Sequence, residues 1–296
     1  MNCIVTGSLG HIGKPLASLL IDAGHSVTIV SSNPEREAQI EAMGATAAIG
    51  SVEDTSFLTS TFRGADALFT MVPPNYTGGD WKEQIARIGR NYARAIEESG
   101  VSHVVNLSSV GAHLHEGCGP VSGLHLVENA LNAVHGLNVR HLRAAYFYTN
   151  FLNSIPGIRN TGVLSGNFGN NTLIVLVHPL DIADHAAKEL LDPSFLGRGF
   201  SYIASDEQTT DDIAKILGKA ISRPDLHWVD RTDRETFDEM LRFGLPEELA
   251  KNYTEMGSAI HSGEMMAHYF EHRPVLAGWR RFESFAPEFA AAYAGS

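Results

Sequence analysis

Cysteine is scarce: Cys3 and Cys118 are the only two in 296 residues. Two cysteines build no disulfide framework, and they fit a reducing compartment where Cys serves as a small apolar residue. Basic residues are in deficit, 22 Lys and Arg against 34 Asp and Glu, a formal charge of −12 with histidine neutral. That deficit excludes a nucleic-acid binder held by bulk charge, because phosphate attraction needs a basic surface. Long hydrophobic runs are missing. The longest apolar stretches, such as 16–21, fall far short of the roughly 20 residues of a membrane span, so no membrane partner is expected. No basic segment leads the short apolar run after Asn2, so no secretory signal is expected and the expected location is cytoplasmic. Repeats and low-complexity tracts are absent too. What is present is a 44% apolar content, too high for a disordered chain and enough for one large or two modest domains of about 150 residues each. Histidine alone is over-represented, at 14.

The first half alternates. Cys3-Ile4-Val5 reads as a strand, Ile12 to Ala23 as a helix with Leu16, Leu19 and Leu20 at helical spacing. Further strands are expected at 26–30, 46–49, 67–72, 104–107 and 139–142, with helices at 35–43, 55–62, 81–99 and 123–134. Strands separated by helices make a parallel sheet covered on both faces, an α/β doubly wound (Rossmann) fold. After Asn150 the rhythm changes: 157–171 reads as loops or a short hairpin, 173–177 and 200–204 as strands, 181–191 and 209–221 as helices, and the chain beyond Pro224 as mainly helical. The expected division is a dinucleotide-type domain over 1–150, with 172–192 returning to it, and a smaller substrate-binding domain over 193–296 that also uses 151–171.

The strongest local signal is Thr6-Gly7-Ser8-Leu9-Gly10-His11-Ile12-Gly13, placed between the first strand and the first helix. Gly7 permits a tight turn, Gly10 lets a pyrophosphate approach the backbone, and Gly13 lets helix and strand pack closely. The free N–H groups and the dipole of the helix N-terminus then hold the anion. At the tip of the second strand no Asp or Glu awaits a ribose hydroxyl; Ser31, Ser32, Asn33, Pro34, Glu35 and Arg36 follow Val30. Ser32, Asn33 and Arg36 suit a 2′-phosphate, with a charge-assisted contact from Arg36. Equally, Ser32 or Asn33 suits capping of the next helix.

The Gly-x-x-Gly-x-x-Gly spacing resembles that of the extended and atypical short-chain dehydrogenase/reductases. With Ser108-Ser109-Val110-Gly111-Ala112-His113, Gly123-Leu124-His125-Leu126-Val127-Glu128, Leu142-Arg143-Ala144-Ala145-Tyr146-Phe147-Tyr148-Thr149-Asn150 and Asp181-Ile182-Ala183, residues 1–205 resemble the NmrA-like family. The resemblance implies a nicotinamide cofactor, NADP(H) in preference with NAD(H) as the alternative. It implies that Thr6, Gly7, Leu9, Gly10, His11, Ile12 and Gly13, then Met71, Val72 and Pro73, then Ser108 and Ser109, border the dinucleotide, and that Tyr146 and Phe147 line the nicotinamide and substrate pocket. The Tyr-x-x-x-Lys pair of short-chain dehydrogenases falls on Val121 and His125, so the tyrosine is missing and histidine replaces lysine. His125 and Tyr146 are the candidate proton donors or cofactor contacts, with Glu128 either orienting His125 or facing solvent.

The expected function is NAD(P)H-dependent reduction of a small flat acceptor, a quinone or azo dye, by hydride transfer. The missing dyad keeps a non-catalytic dinucleotide sensor with a protein partner, or a homodimer, as the alternative, and a sugar-nucleotide or isoflavone-reductase-like enzyme as a third. Two donor sets, His113-His115-Glu116-Cys118 and His261-Glu264-His268-His272, share short spacings, the latter expected on one helix face. Neither completes a zinc pattern, so both read as solvated polar stripes and no metal is expected. The other histidines read mostly as surface, except His11 in the glycine loop.

Overall fold

The computed structural model describes residues 1–74, 79–276 and 280–295. Its first part runs β1 (Asn2–Val5), α1 (Gly13–Asp22), β2 (Ser26–Ser31), α2 (Glu37–Ala42), β3 (Thr46–Ile49), α3 (Thr55–Phe62), β4 (Ala67–Thr70), α4 (Trp81–Ser99), β5 (His103–Ser109), α5 (Pro120–Ala133) and β6 (Asn138–Ala144). The second part holds β7 (Tyr146–Phe147), α6 (Ile155–Thr161), β8 (Leu164–Gly166), β9 (Leu173–Val177), α7 (Pro179–Leu191), β10 (Arg198–Ile203), β11 (Asp206–Thr209), α8 (Thr210–Ala220) and β12 (Trp228–Asp230). Four helices close the chain: α9 (Asp233–Arg242), α10 (Glu247–His261), α11 (Glu264–Glu271) and α12 (Phe282–Gly295).

The main sheet has seven strands in the order β10-β6-β5-β4-β1-β2-β3, all paired in parallel. This is the expected doubly wound α/β architecture. Strand order reverses between β1 and β4, and the crevice at the carboxyl ends beside that point is where such folds bind ligands. The central β4 is buried along its length, as a parallel strand covered on both faces must be. In α4 the buried Trp81, Ile85, Ile88, Tyr92 and Ile96 share one face, while Arg87, Arg90 and Arg94 stay in water. Asp80 caps that helix, accepting the Glu83 N–H at 3.0 Å. The α5 helix opens at Pro120 rather than 123; proline suits a first turn, where its missing N–H costs no bond.

Within 172–192, α7 packs on α1. The seventh main-sheet strand is β10, from within the expected smaller unit, paired with β6 from Arg198 opposite Val139 to Ile203 opposite Ala144. β9 instead sits in a three-stranded sheet, parallel to β7 and antiparallel to β11. Residues 157–171, expected as loops or a hairpin, contain part of α6 and all of β8, whose parallel partner is the distant β12. The tail is helical as expected. Its last helix is clipped on by the buried Asp206, which accepts from Arg281 Nη1 at 2.8 Å and from the Phe282 N–H at 2.9 Å. Among the described residues no helix is long and apolar enough to cross a membrane.

Candidate active site

The glycine loop sits at the strand-order reversal, between β1 and α1. Gly7 at φ +95° and Ser8 at φ +57° turn the chain sharply. A side chain on Gly7 would overlap Met71, and one on Gly13 would overlap the Ser8 carbonyl oxygen. Gly13 therefore admits the loop folded over the helix start, rather than the strand–helix contact expected of it. Gly10 differs. A Cβ there would meet only the Gly7 carbonyl oxygen, at 3.3 Å, so the space beyond it is open. No side chain caps α1 at Ile12, and the Ile12 side chain is buried in the core, so only its backbone can serve a ligand. Uncapped N–H groups at a helix start are the kind of donors that can hold an anion.

Beside this seat, Ser8 Oγ donates to Ser31 Oγ at 2.9 Å and accepts from Arg36 Nη1 at 2.9 Å. Arg36 thus folds back onto the loop. With Leu9, Gly10, His11 and Lys14 it lines an open groove of about 700 Å³ that continues to Leu180 and Asp184 on α7. Two cations, Lys14 and Arg36, and the His11 imidazole line this groove together with the carboxylates of Asp22 and Asp184. Sequence reasoning missed Lys14, although a lysine directly after the third glycine was the signal for it. Ser32 is exposed. The Asn33 side-chain oxygen caps the following turn, accepting the Glu35 N–H at 2.9 Å, which leaves its Nδ2 amide as a donor on the exposed side.

Just after β1, Thr6 is buried, and its hydroxyl accepts the N–H of Met71, the residue that follows β4, at 2.9 Å. It ties β1 to β4 and is withdrawn from any ligand. Met71, Val72 and Pro73 are half-buried along the crevice. Ser108 also departs from expectation. It is buried, and its hydroxyl donates to Glu128 Oε1 at 2.6 Å, while Ser109 stays at the partly open strand end. Glu128 neither orients His125 nor faces solvent. Arg143 donates to it twice, Nε at 3.0 Å and Nη2 at 2.7 Å. Burial pushes the Glu128 carboxyl up, but the Arg143 bonds, the neighbouring positive charges and the Ser108 hydroxyl outweigh it and hold the group below the usual carboxylate range.

His125 Nδ1 lies 2.8 Å from the Ala112 carbonyl oxygen. A carbonyl only accepts, so Nδ1 carries the proton and the neutral ring presents Nε2 as an acceptor. His125 can donate a proton from Nε2 only as imidazolium. Tyr146 and Phe147 are consecutive on β7 and point to opposite faces. Tyr146 meets Phe151 and Phe168 edge-on, at 5.5 and 5.7 Å between centroids. Phe168 stacks on Trp228 at 5.6 Å. Burial pushes the Tyr146 hydroxyl up to about 12, so at neutral pH it is a hydrogen-bond donor and not a phenolate. Phe168 and Trp228 were not singled out by sequence; their partner Tyr146 lies too far along the chain for any local pattern to reveal the group.

The histidines separate. His141 is buried, not surface, bonded to Asn106 at 3.2 Å and Asn132 at 3.1 Å, and burial lowers it to about 4. His113, His115, Glu116 and Cys118 do not converge: Cys118 is buried, while His115 and Glu116 are exposed and 3.4 Å apart. His261 ends α10 and Glu264 begins α11, with Gly263 at φ +81° between them. The expected single helical face is therefore broken at that glycine.

The model of the NmrA-like family matches residues 2–269. A "(4-alkanoyl-5-oxo-2,5-dihydrofuran-3-yl)methyl phosphate reductase" of Streptomyces griseus is 27% identical over 221 residues, 75% of this chain and 74% of that protein. An NAD(P)H azoreductase of Xenophilus azovorans is 24% identical over 98% of both chains. Among solved structures, an NADPH-dependent quinone oxidoreductase from Escherichia coli, complexed with NADPH, superposes with a TM-score of 0.79 at 19% identity over 99% of both chains.

Proposed function

Because this chain belongs to the NmrA-like family, we propose that it is an NAD(P)H-dependent oxidoreductase that reduces a small flat acceptor of the quinone or azo-dye class. The observation that carries the reading is the open, uncapped α1 N-terminus beneath Gly10, flanked by His11, Lys14 and Arg36. These residues fit a dinucleotide: backbone N–H groups for the pyrophosphate, and Arg36 with Lys14 for a 2′-phosphate, which favours NADP(H) over NAD(H). Global charge repels anions, so these local groups must supply the binding. The relatives whose sequences match are a reductase and an azoreductase, which supports reduction as the chemistry.

When bound, the nicotinamide supplies the hydride. Met71, Val72 and Pro73 border the dinucleotide where the chain leaves β4, and Ser109 meets it at the end of β5. The aromatic group of Tyr146, Phe168 and Trp228 gives a flat acceptor a wall of matching shape and excludes water. Tyr146, held neutral, donates a hydrogen bond to an acceptor oxygen or nitrogen as negative charge develops there. His125 contacts the ribose or acceptor through Nε2. The smaller unit, 151–171 with the chain beyond β10, closes the acceptor side. Purified protein with NADPH or NADH is expected to reduce a naphthoquinone, an azo dye or a cyclic enone above background; failure with every class would sink the proposal.

One observation favours a second reading. Val121 is buried where short-chain dehydrogenases carry their tyrosine, and His125 stands in place of lysine. A dinucleotide sensor acting on a protein partner or a second copy needs neither. Tight binding that distinguishes oxidised from reduced cofactor, with no turnover, would select it.

A further inference from the structure

The C-terminal end of α11 brings together three side chains that the proposed reductase site does not use. His268, Glu271 and His272 each offer one ligand atom, and these atoms lie within 4.8 Å of one another. The spacing i, i+3, i+4 puts them on one face of a helical turn. Only His268 and His272 of the histidine stripe in the sequence take part, and Glu271 joins them.

From this geometry we infer a binding site for a borderline divalent transition-metal ion, such as zinc, held by two imidazoles and one carboxylate. Two nitrogens and a carboxylate oxygen form the donor set such ions take, with a fourth position open to water. The rings are oriented before any ion arrives. His272 Nδ1 lies 3.0 Å from the His268 carbonyl oxygen, so Nδ1 carries the proton and Nε2 presents its lone pair outward. His268 Nδ1 lies 2.6 Å from the Tyr202 hydroxyl, whose oxygen can accept that proton's bond and leave Nε2 free. Such partners behind a ligand imidazole fix its tautomer and direction.

Packing fixes the rest. The two rings stack at 4.2 Å between centroids and 19° between planes. Phe200 meets both edge-on, at 5.4 and 5.6 Å, and is itself held against the Arg143 guanidinium at 4.4 Å. The partial negative charge at the end of α11 adds to cation affinity. Glu271 and His272 are exposed, so an ion has a direct entry path. Preset rings lower the ordering cost that weakens most surface histidine pairs.

The test is calorimetric titration of zinc chloride into tag-free, chelator-stripped full-length protein, with circular dichroism to check folding. One equivalent per chain is expected. Separate His272→Ala and Glu271→Gln variants, both at exposed positions, are expected to lose about tenfold or more in affinity. His261→Ala, on the neighbouring helix, is expected to bind as the parent does. Absence of stoichiometric binding, or binding that survives His272→Ala undiminished, would overturn the assignment.

Discussion

Gly10 and Gly13 are both loop glycines, yet the structure predicts opposite consequences for replacing them by alanine. A Cβ on Gly10 meets only the Gly7 carbonyl oxygen at 3.3 Å, and its backbone lies outside the left-handed region. The chain must yield by a few tenths of an ångström. Against that cost, alanine restricts the unfolded chain and stabilises by about 0.4–1 kcal/mol. The two effects offset, and unfolding free energy is expected to change by no more than about 0.5 kcal/mol. Cofactor binding should change far more. A backbone N–H bonded to a charged phosphate contributes about 1.5–3 kcal/mol. Lifting the pyrophosphate off two of them costs about 3–6 kcal/mol, roughly 10²- to 10⁴-fold in Kd. Gly13→Ala instead forces a side chain into the Ser8 carbonyl and should lower stability itself. The assay pairs calorimetric titration of NADPH with thermal unfolding of the free protein. Gly10→Ala binding NADPH as the parent does would refute the phosphate seat. Gly10→Ala unfolding as early as Gly13→Ala would refute the steric argument.

Arg36→Ala removes the cation that folds over Ser8; it should weaken NADPH by about 10- to 100-fold and NADH little, read by competitive titration. Glu128→Ala leaves the Arg143 charge buried and unpaired, and denaturant unfolding should show a loss of about 3–5 kcal/mol. His141 titrates near 4 when folded and near 6.5 when unfolded. As pH falls the unfolded chain takes up this proton first, so the contribution is full above about pH 6.5 and lost progressively down to about pH 4. The loss amounts to about 3 kcal/mol. Urea unfolding across that range should follow it, and His141→Gln should flatten the decline.

The six strands of the alternating half were legible because each burial pattern repeats locally, and the glycine loop because strand and helix flank it. The seventh strand was not. Whether 173–177 or 198–203 joins the main sheet depends on pairing with β6, which no local pattern carries. The same distance hid the Ser108–Glu128–Arg143 group: its members are spread over β5, α5 and β6. Strand parity was the overlooked clue, since neighbouring Ser108 and Ser109 point to opposite faces, and the Ser108 hydroxyl is the one turned to Glu128. Asn33 shows a different limit. The sequence left capping and phosphate contact equally open; the Glu35 N–H at 2.9 Å adds the cap through Oδ1, and the Nδ2 amide is still a donor.

In the proposed reaction, hydride leaves a cofactor seated on this loop for an acceptor against the aromatic group. Its most direct measurement is a single-turnover reaction of the protein with NADPH deuterated at the transferring carbon and excess naphthoquinone or azo dye. Cofactor oxidation is expected to require acceptor, to be slowed by deuterium, and to be abolished in Gly10→Ala at cofactor concentrations that saturate the parent protein. NADPH that binds tightly yet stays reduced in the presence of every acceptor class would contradict it.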